Sequence, residues 1–315
     1  MVRVHPRSSG RNSLFLCESR SRSSPVIVKQ CLNEGDVGPC AETWFYANLA
    51  DSLDLAPRAL IVDAARRVVA TEAVTPIQGN PPGARLDCRE LLSALVDAAC
   101  PLSELHSLAV GEKSSLPAAA RLPQLWPVPV ATWMWSGPAA RELVAELQSK
   151  PSLRRAYAQA RLSPETGAYI HGDVHLDNLG RSGQSLKLLD WELSGWGAPA
   201  ADLGAVVGTM LCAWADGLAL SPGGSVEEWV AEAEMPFRDL TASVAEFLGT
   251  YMGRTTVGRL VTRAALTAHI VGRIVARIWR DAIDQRALGA DQRVRLLVAE
   301  RLLEVDPGVI PEFVR

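Results

Sequence analysis

Two stretches constrain this chain most: His171-Gly172-Asp173-Val174-His175-Leu176-Asp177-Asn178, and Leu188-Leu189-Asp190-Trp191-Glu192. Asp173 and Asn178 stand five residues apart in a short loop, and Asp190 follows twelve later, just after an apolar strand-like run. If the three act together, two neighbouring segments must converge on one point. Phosphoryl transfer needs such a set: a carboxylate to orient a hydroxyl, then an amide and a carboxylate to hold magnesium. Singly, each has an ordinary structural reading. Asp173 reads as an Asx-turn or helix cap, Asn178 as a turn residue and Asp190 as a strand-end cap. Their coincidence at this spacing favours the chemistry over the separate structural roles.

With Gly197-Ala198-Pro199-Ala200-Ala201-Asp202-Leu203, these segments resemble the aminoglycoside and small-molecule phosphotransferase family, choline-kinase-like enzymes whose fold is similar to that of protein kinases. His171, Asp173 and Asn178 match that family's His-x-Asp-x4-Asn pattern, and Asp190 its following aspartate. The resemblance implies that Asp173 takes a hydrogen bond from the acceptor hydroxyl and its proton late in the reaction. It implies Asn178 and Asp190 as Mg2+ ligands and ATP or GTP as co-substrate. It also implies that Asp202 bonds the backbone of the catalytic loop and that His171 supports the loop. Asp202 is equally an N-cap to the helix beginning near Leu203. His175 and Asp177 have no role derivable from sequence, and two histidines four residues apart off a helix are a weak zinc signal.

The organisation expected is α+β and two-lobed, kinase-like, with a small antiparallel β lobe carrying one helix and a larger, mainly helical lobe. Leu14–Cys17 and Val26–Lys29 read as a hairpin. A helix over Ala41–Leu53 and a second hairpin, Leu60–Asp63 with Val68–Thr71, complete residues 1–74 as a nucleotide-binding lobe. Residues 75–83, with three prolines and two glycines, read as the hinge, and residues 84–315 as the lobe holding catalytic loop and acceptor site. Helices are expected over 87–106, 139–160, 201–215, 226–248, 254–284 and 291–305. The stretch from Pro117 to Pro138 should wind over the surface.

On the nucleotide side, Lys29 ends an apolar strand and Glu42 follows thirteen residues later at the start of a helix. In kinase-like folds a strand lysine contacts the α and β phosphates and a helix glutamate holds that lysine. The bland reading is a solvated lysine and a first-turn glutamate favoured by the helix dipole. Ser8–Asn12 is expected to precede the first strand and to offer backbone amides, those of Ser9 and Gly10 among them, to phosphate. It has one glycine only, so G-x-G-x-x-G is absent, and no G-x-x-x-x-G-K-[ST] occurs anywhere. Glu72 and Val74 fall where the resemblance places the backbone that reads the purine edge.

A net charge of −3 gives no electrostatic case for nucleic acid or an anionic membrane, and no run of eighteen apolar residues suggests a spanning helix. The six cysteines lack C-x-x-C spacing and read as reduced thiols, in keeping with a cytoplasmic protein. The partners expected are therefore a nucleoside triphosphate and a small hydroxylated acceptor. Between Lys187 and Arg238 eight acidic residues meet no lysine or arginine. That excess points to a cationic acceptor such as an aminoglycoside antibiotic, although a solvated helix face explains Glu227 to Glu234 as well. The arginines from Arg254 to Arg280 fall partly on one helical stripe, available to pair with that acidic stretch. The rival readings are a kinase of choline, homoserine or a sugar-like metabolite, and a nucleotide-binding pseudokinase.

Overall fold

β-Branched runs make the centre of the first sheet. In the computed structural model, which describes residues 2–9, 12–19, 24–31, 40–77, 88–108, 122–162, 167–183, 185–221, 224–304, 309–311 and 314, five strands pair antiparallel. They are β1 (Val2–Ser9), β2 (Asn12–Ser19), β3 (Val26–Cys31), β4 (Ala59–Asp63) and β5 (Val68–Glu72), in the order β1-β2-β3-β5-β4. The expected hairpins are present, with β2 running on to Ser19. The amino terminus departs from expectation: Ser8 and Ser9 end an additional strand rather than lead into the first one. Pro6 hid that strand in the sequence. It sits opposite Phe15 on the sheet's outermost strand, where sheets tolerate proline.

Helix α1 (Ala41–Asn48) buries Glu42, Thr43, Phe45 and Tyr46, a stripe at helical spacing. Past β5 the chain does not remain a free linker. Thr75–Pro76 forms a short strand, β6, joined to β8 (Leu179–Ser182) and β9 (Ser185–Leu188) in a three-stranded sheet. Strands β7 (Ala168–Ile170) and β10 (Gly195–Gly197) pair beside it. The two motif segments are thus the connections from β7 to β8 and from β9 to β10.

The remainder is helical: α2 (Cys88–Asp97), α3 (Ala99–His106), α4 (Val130–Trp135), α5 (Pro138–Ser149), α6 (Pro151–Leu162), α7 (Pro199–Asp216), α8 (Val226–Ala231), α9 (Phe237–Arg254), α10 (Arg263–Ala282) and α11 (Ala290–Glu304). Four of the six expected helices are interrupted or shortened, two for reasons written in proline. Pro151 opens α6 and Pro236 precedes α9, each lacking the N–H an interior position needs. The other two are the break at Ala98 and the start of α10 at Arg263, where Thr262 Oγ1 caps Ala265 N–H at 3.2 Å. The 117–138 stretch contains α4 and leaves Trp126, Trp133 and Trp135 exposed, whereas Trp191 and Trp214 are core residues.

α7 is buried on nearly every side and packs most extensively on α10. Gly204 makes that approach possible: a Cβ there would lie 2.5 Å from His269 Cβ. The contact sets one face of α10 close against the β7–β8 loop. All six cysteines are free thiols, and among the described residues no helix is long and apolar enough to cross a membrane.

Candidate active site

Lys29 sits on a central strand, paired across to Leu14 and Val69, with its side chain 12% exposed. Its ammonium lies 2.7 Å from Glu42 Oε2, bonds Asp190 Oδ1, and comes within 3.9 Å of Glu192 Oε2. Burial works against the lysine's charge, but the Glu42 and Asp190 carboxylates outweigh it and hold the pKa above the usual lysine range. Burial also pushes Glu42 up to about 7, with Lys29 pulling the other way. The two supporting elements meet at their ends as well: Cys40 Sγ, just before α1, is 3.0 Å from Cys31 Sγ at the end of β3.

The β7–β8 loop is held from below. Asp202, fully buried in the first turn of α7, accepts from His171 N–H at 2.7 Å and Gly172 N–H at 2.8 Å. His106 Nε2 is 3.1 Å from the same carboxylate, and its Nδ1 lies 2.7 Å from Tyr251 Oη. Gly172 has φ +83°, and a Cβ there would meet Leu193 O at 2.6 Å, so only glycine passes beneath the β9–β10 loop. The His171 ring is buried and neutral, because burial drives its pKa down. Its Nε2 donates to Leu189 O at 2.9 Å, and its Nδ1 accepts from Asp173 N–H at 3.3 Å.

Asn178 Nδ2 donates to Asp173 O at 2.9 Å and reaches Asp173 Oδ2 at 3.5 Å. Leu189 N–H in turn donates to Asn178 O at 2.8 Å, which ties the segment of Asn178 to that of Asp190. Asp190 takes left-handed angles, φ 61° and ψ 71°, a conformation aspartate tolerates better than most residues. Trp191 behind it is fully buried, bonds Leu188 O through Nε1 at 2.9 Å, and stacks on Phe45 of α1 with ring centres 3.6 Å apart.

Asp173 has a side chain about one third exposed, with His175 Nε2 at 3.4 Å and Arg273 Nη1 of α10 at 3.4 Å. Burial opposes its charge, yet His175 and Arg273 outweigh burial and keep the carboxyl below the usual range. His175 reaches Asp177 Oδ2 with its other nitrogen at 3.5 Å. In front of Asp173 opens a cavity of about 300 Å³, lined by Leu122, Leu193, Glu192, His269, Arg273 and Arg280 among others.

Lys29, Glu42 and Asp190 therefore meet, and His171, Asp173, Asn178 and Asp202 form a second group joined to them through Leu189 and Asn178. Ser9 pairs with Asn12, whose Nδ2 donates to Glu192 Oε2 at 2.5 Å; Gly10 lies outside the described residues. Glu72 N–H is committed to Arg58 O at 3.0 Å and its carboxylate pairs with Arg58, while Val74 lies between β5 and β6.

Of the eight acids in the expected surface, Glu192 alone lines the cavity among the described residues. Asp202 is buried, Asp216 pairs with Arg295, and Glu228 caps α8 through Ser225. The arginine stripe goes elsewhere too: Arg273 to Asp173, and Arg277 to Asp281 at 3.0 Å. Arg273 is the residue that sequence reasoning misplaced, for its partner lies 100 residues upstream. For a metal, one amide oxygen from Asn178 and one carboxylate from Asp190 suit a hard divalent cation that takes its other ligands from phosphate and water. No cluster of three or more His, Cys, Asp or Glu that could hold a metal occurs among the described residues.

Comparison with known proteins adds three findings. The family model described as the phosphotransferase enzyme family matches residues 22–235. Over 76 residues the chain is 43% identical to thiamine kinases of Escherichia coli K12 and Shigella boydii, a match spanning 24% of this chain and only 26% of theirs. Its fold is similar to the amicoumacin kinase hAmiN in complex with AMP-PNP, Ca2+ and Ami (TM-score 0.57, 13% identity, 98% of this chain and 90% of that one). It is also similar to the choline kinase of Cryptosporidium parvum Iowa II (TM-score 0.54, 13% identity, 98% and 92%). At such identities these structures speak for the fold alone, and the α+β, kinase-like fold expected from sequence is the one observed. With a family model covering more than half of its length, the chain belongs to the phosphotransferase enzyme family.

Proposed function

We propose that this protein is a magnesium-dependent phosphotransferase that moves the γ-phosphoryl group of ATP or GTP to a hydroxyl of a small molecule held in the cavity at Asp173. One observation supports the reading: the Lys29–Glu42–Asp190 cluster and the Asp173–Asn178 pair, from segments far apart in sequence, are tied together by the Leu189 N–H to Asn178 O bond, and Asp173 lines a cavity. Residues 1–74 serve as the nucleotide lobe, 75–83 as its connection and 84–315 as the lobe of catalytic loop and acceptor. The nucleotide is a cytoplasmic substrate, and the enzyme belongs in that compartment.

Lys29, fixed by Glu42, offers a permanent positive charge to the α and β phosphates. The Ser9 end of the β1–β2 hairpin and the Glu72–Val74 backbone border the nucleotide. Asn178 and Asp190 would hold Mg2+, which when bound neutralises charge on the phosphates. Asp173, ionised at any neutral pH, accepts a hydrogen bond from the acceptor hydroxyl and so aims its oxygen at the γ-phosphorus. The acceptor oxygen–phosphorus bond forms, the bond to the β–γ bridging oxygen breaks, and the hydroxyl proton passes to Asp173. A weakly basic carboxylate suits a loose transition state, in which the proton leaves late. Asp202 acts through the backbone, holding His171 and Gly172 in place beneath Asp173.

A metabolite-sized acceptor fits better than a polycationic aminoglycoside. The cavity is small, it carries Arg273 and Arg280, and Asp173 is already flanked by two basic groups. The short thiamine-kinase match also leans towards a metabolic alcohol. Nucleoside diphosphate release across a panel of hydroxylated metabolites and antibiotics tests the reading. Asp173→Asn should lower turnover by about 10²–10⁴-fold with nucleotide affinity kept. Asp190→Asn should lose metal-dependent nucleotide binding. Normal turnover in Asp173→Asn would refute its role, and nucleotide binding without any turnover would favour a regulator instead.

A further inference from the structure

His269, Arg273, Ala276 and Arg280 succeed one another at spacings of four, three and four residues, so one face of α10 runs along the cavity. The face is basic and poorly matched. Arg273 has a side chain only 15% exposed, and among the described residues its one polar partner is Asp173 Oδ1 at 3.4 Å. A guanidinium carries five N–H donors, and burying it against a single long contact is costly unless something else accepts from it. Burial accordingly works against its charge. His269 is 7% exposed, and its Nε2 has no hydrogen-bond partner among the described residues. Arg280, exposed at the same cavity, makes no close ion pair among them, its charge acting only at longer range on Asp177, unlike Arg277, which is taken by Asp281.

The acids at the cavity are spoken for. Glu192 is engaged by Asn12 and faces Lys29, and Asp173 serves the hydroxyl. From an under-satisfied Arg273 and an exposed Arg280 without a close ion pair on one wall, we infer that the acceptor carries an anionic group, a carboxylate or phosphate ester, received by Arg280. This rests on the phosphotransferase reading and names its substrate class. Seven residues of helix, about 10 Å of rise, separate the two arginines. Arg273 stands where the transferred phosphoryl arrives, and Arg280 two turns away marks the far end of the acceptor. Arg280 is thus a specificity-determining residue, distinct from the groups that handle the nucleotide.

The test measures diphosphate release with Mg-ATP on matched compounds. These are γ-hydroxybutyrate, its amide and the corresponding amino alcohol; pantothenate and panthenol; glycerol phosphate and glycerol; and thiamine as a cationic alcohol. The acidic member of a set should be preferred in kcat/KM by tenfold or more, the factor expected of one charge-assisted hydrogen bond. Arg280→Gln should raise KM for that acceptor by a similar factor with the KM for ATP unchanged. Arg280→Glu should shift preference towards the amine. Arg280 is exposed, so both variants should keep the wild-type thermal midpoint, which circular dichroism verifies. Preference for amines or thiamine, equal use of acidic and neutral members, or nucleotide turnover that no acidic member accelerates would overturn the inference while the phosphotransferase reading stands. So would an Arg280→Gln effect confined to the KM for ATP, which would assign the anion to the nucleotide. Failure of the wild type to bind nucleotide would overturn both.

Discussion

Replacing Asp202 by asparagine isolates the support beneath the β7–β8 loop, because the shape is kept and only charge and one acceptor are lost. Asp202 accepts from two backbone N–H groups, those of His171 and Gly172, and lies 3.1 Å from His106 Nε2, all in a fully buried site. In Asp202→Asn the amide oxygen can serve one N–H, and the amide NH2 then confronts the other donor. One charge-assisted bond is lost, about 1.5–3 kcal/mol, and a buried N–H is left without an acceptor, about 1–3 kcal/mol more. The sum, about 2.5–6 kcal/mol, is a large share of a typical folding free energy. At roughly 2 °C per kcal/mol for a chain of this size, Tm should fall by about 5–12 °C. Turnover measured well below both midpoints should fall by about 10²-fold, since a displaced loop misaims Asp173. Burial opposes the Asp202 charge, yet His106 and His171 outweigh it and hold the pKa below the usual range. Its contribution is therefore present above pH 4 and lost as pH falls towards the lowered value, so the two proteins should converge in acid. A variant within about 2 °C of wild type in Tm and within about threefold in kcat would refute the reasoning, given the penalties above.

Burial pushes the His269 imidazole down to about 4 from an ordinary 6.5, so between those values the unfolded chain binds the extra proton and stability rises with pH. Wild type should lose about 2 kcal/mol between pH 7 and pH 5 from this group, and His269→Gln should show a shallower fall in denaturant titrations. Phe45→Ala removes a fully buried ring stacked on Trp191 and should cost about 3–5 kcal/mol by chemical denaturation, together with a raised KM for nucleotide. Chelation of divalent ions should abolish diphosphate release, with recovery on adding Mg2+ to wild type but not to Asp190→Asn.

Much of the β architecture was legible because Val26–Lys29 and Val68–Thr71 are rich in β-branched residues and each belongs to a local hairpin. Helix ends at Pro151 and Pro236 were legible in principle, since proline forbids an interior position, whereas the break at Ala98 has no residue that announces it. The strand Val2–Ser9 escaped because Pro6 interrupts its alternation, and only its place at the sheet edge makes that harmless. Asp173, Asn178 and Asp190 could be singled out as candidates by their spacing. Arg273 and Arg280 could not, because a helical stripe of arginines reveals its periodicity but not its neighbour. The acidic stretch misled for the same reason: its members are spread over α7, α8 and the loops beside them, and Asp202, Asp216 and Glu228 go to different partners.

The stack of Phe45 on Trp191 fastens the helix that carries Glu42 to the turn that carries Asp190, through two rings rather than through chain connectivity. Any swing of that helix away from the sheet would have to part the aromatic pair and strand a nearly buried ammonium in the same motion. Displacing that helix would therefore cost the ring stack and the Glu42 partner of Lys29 together.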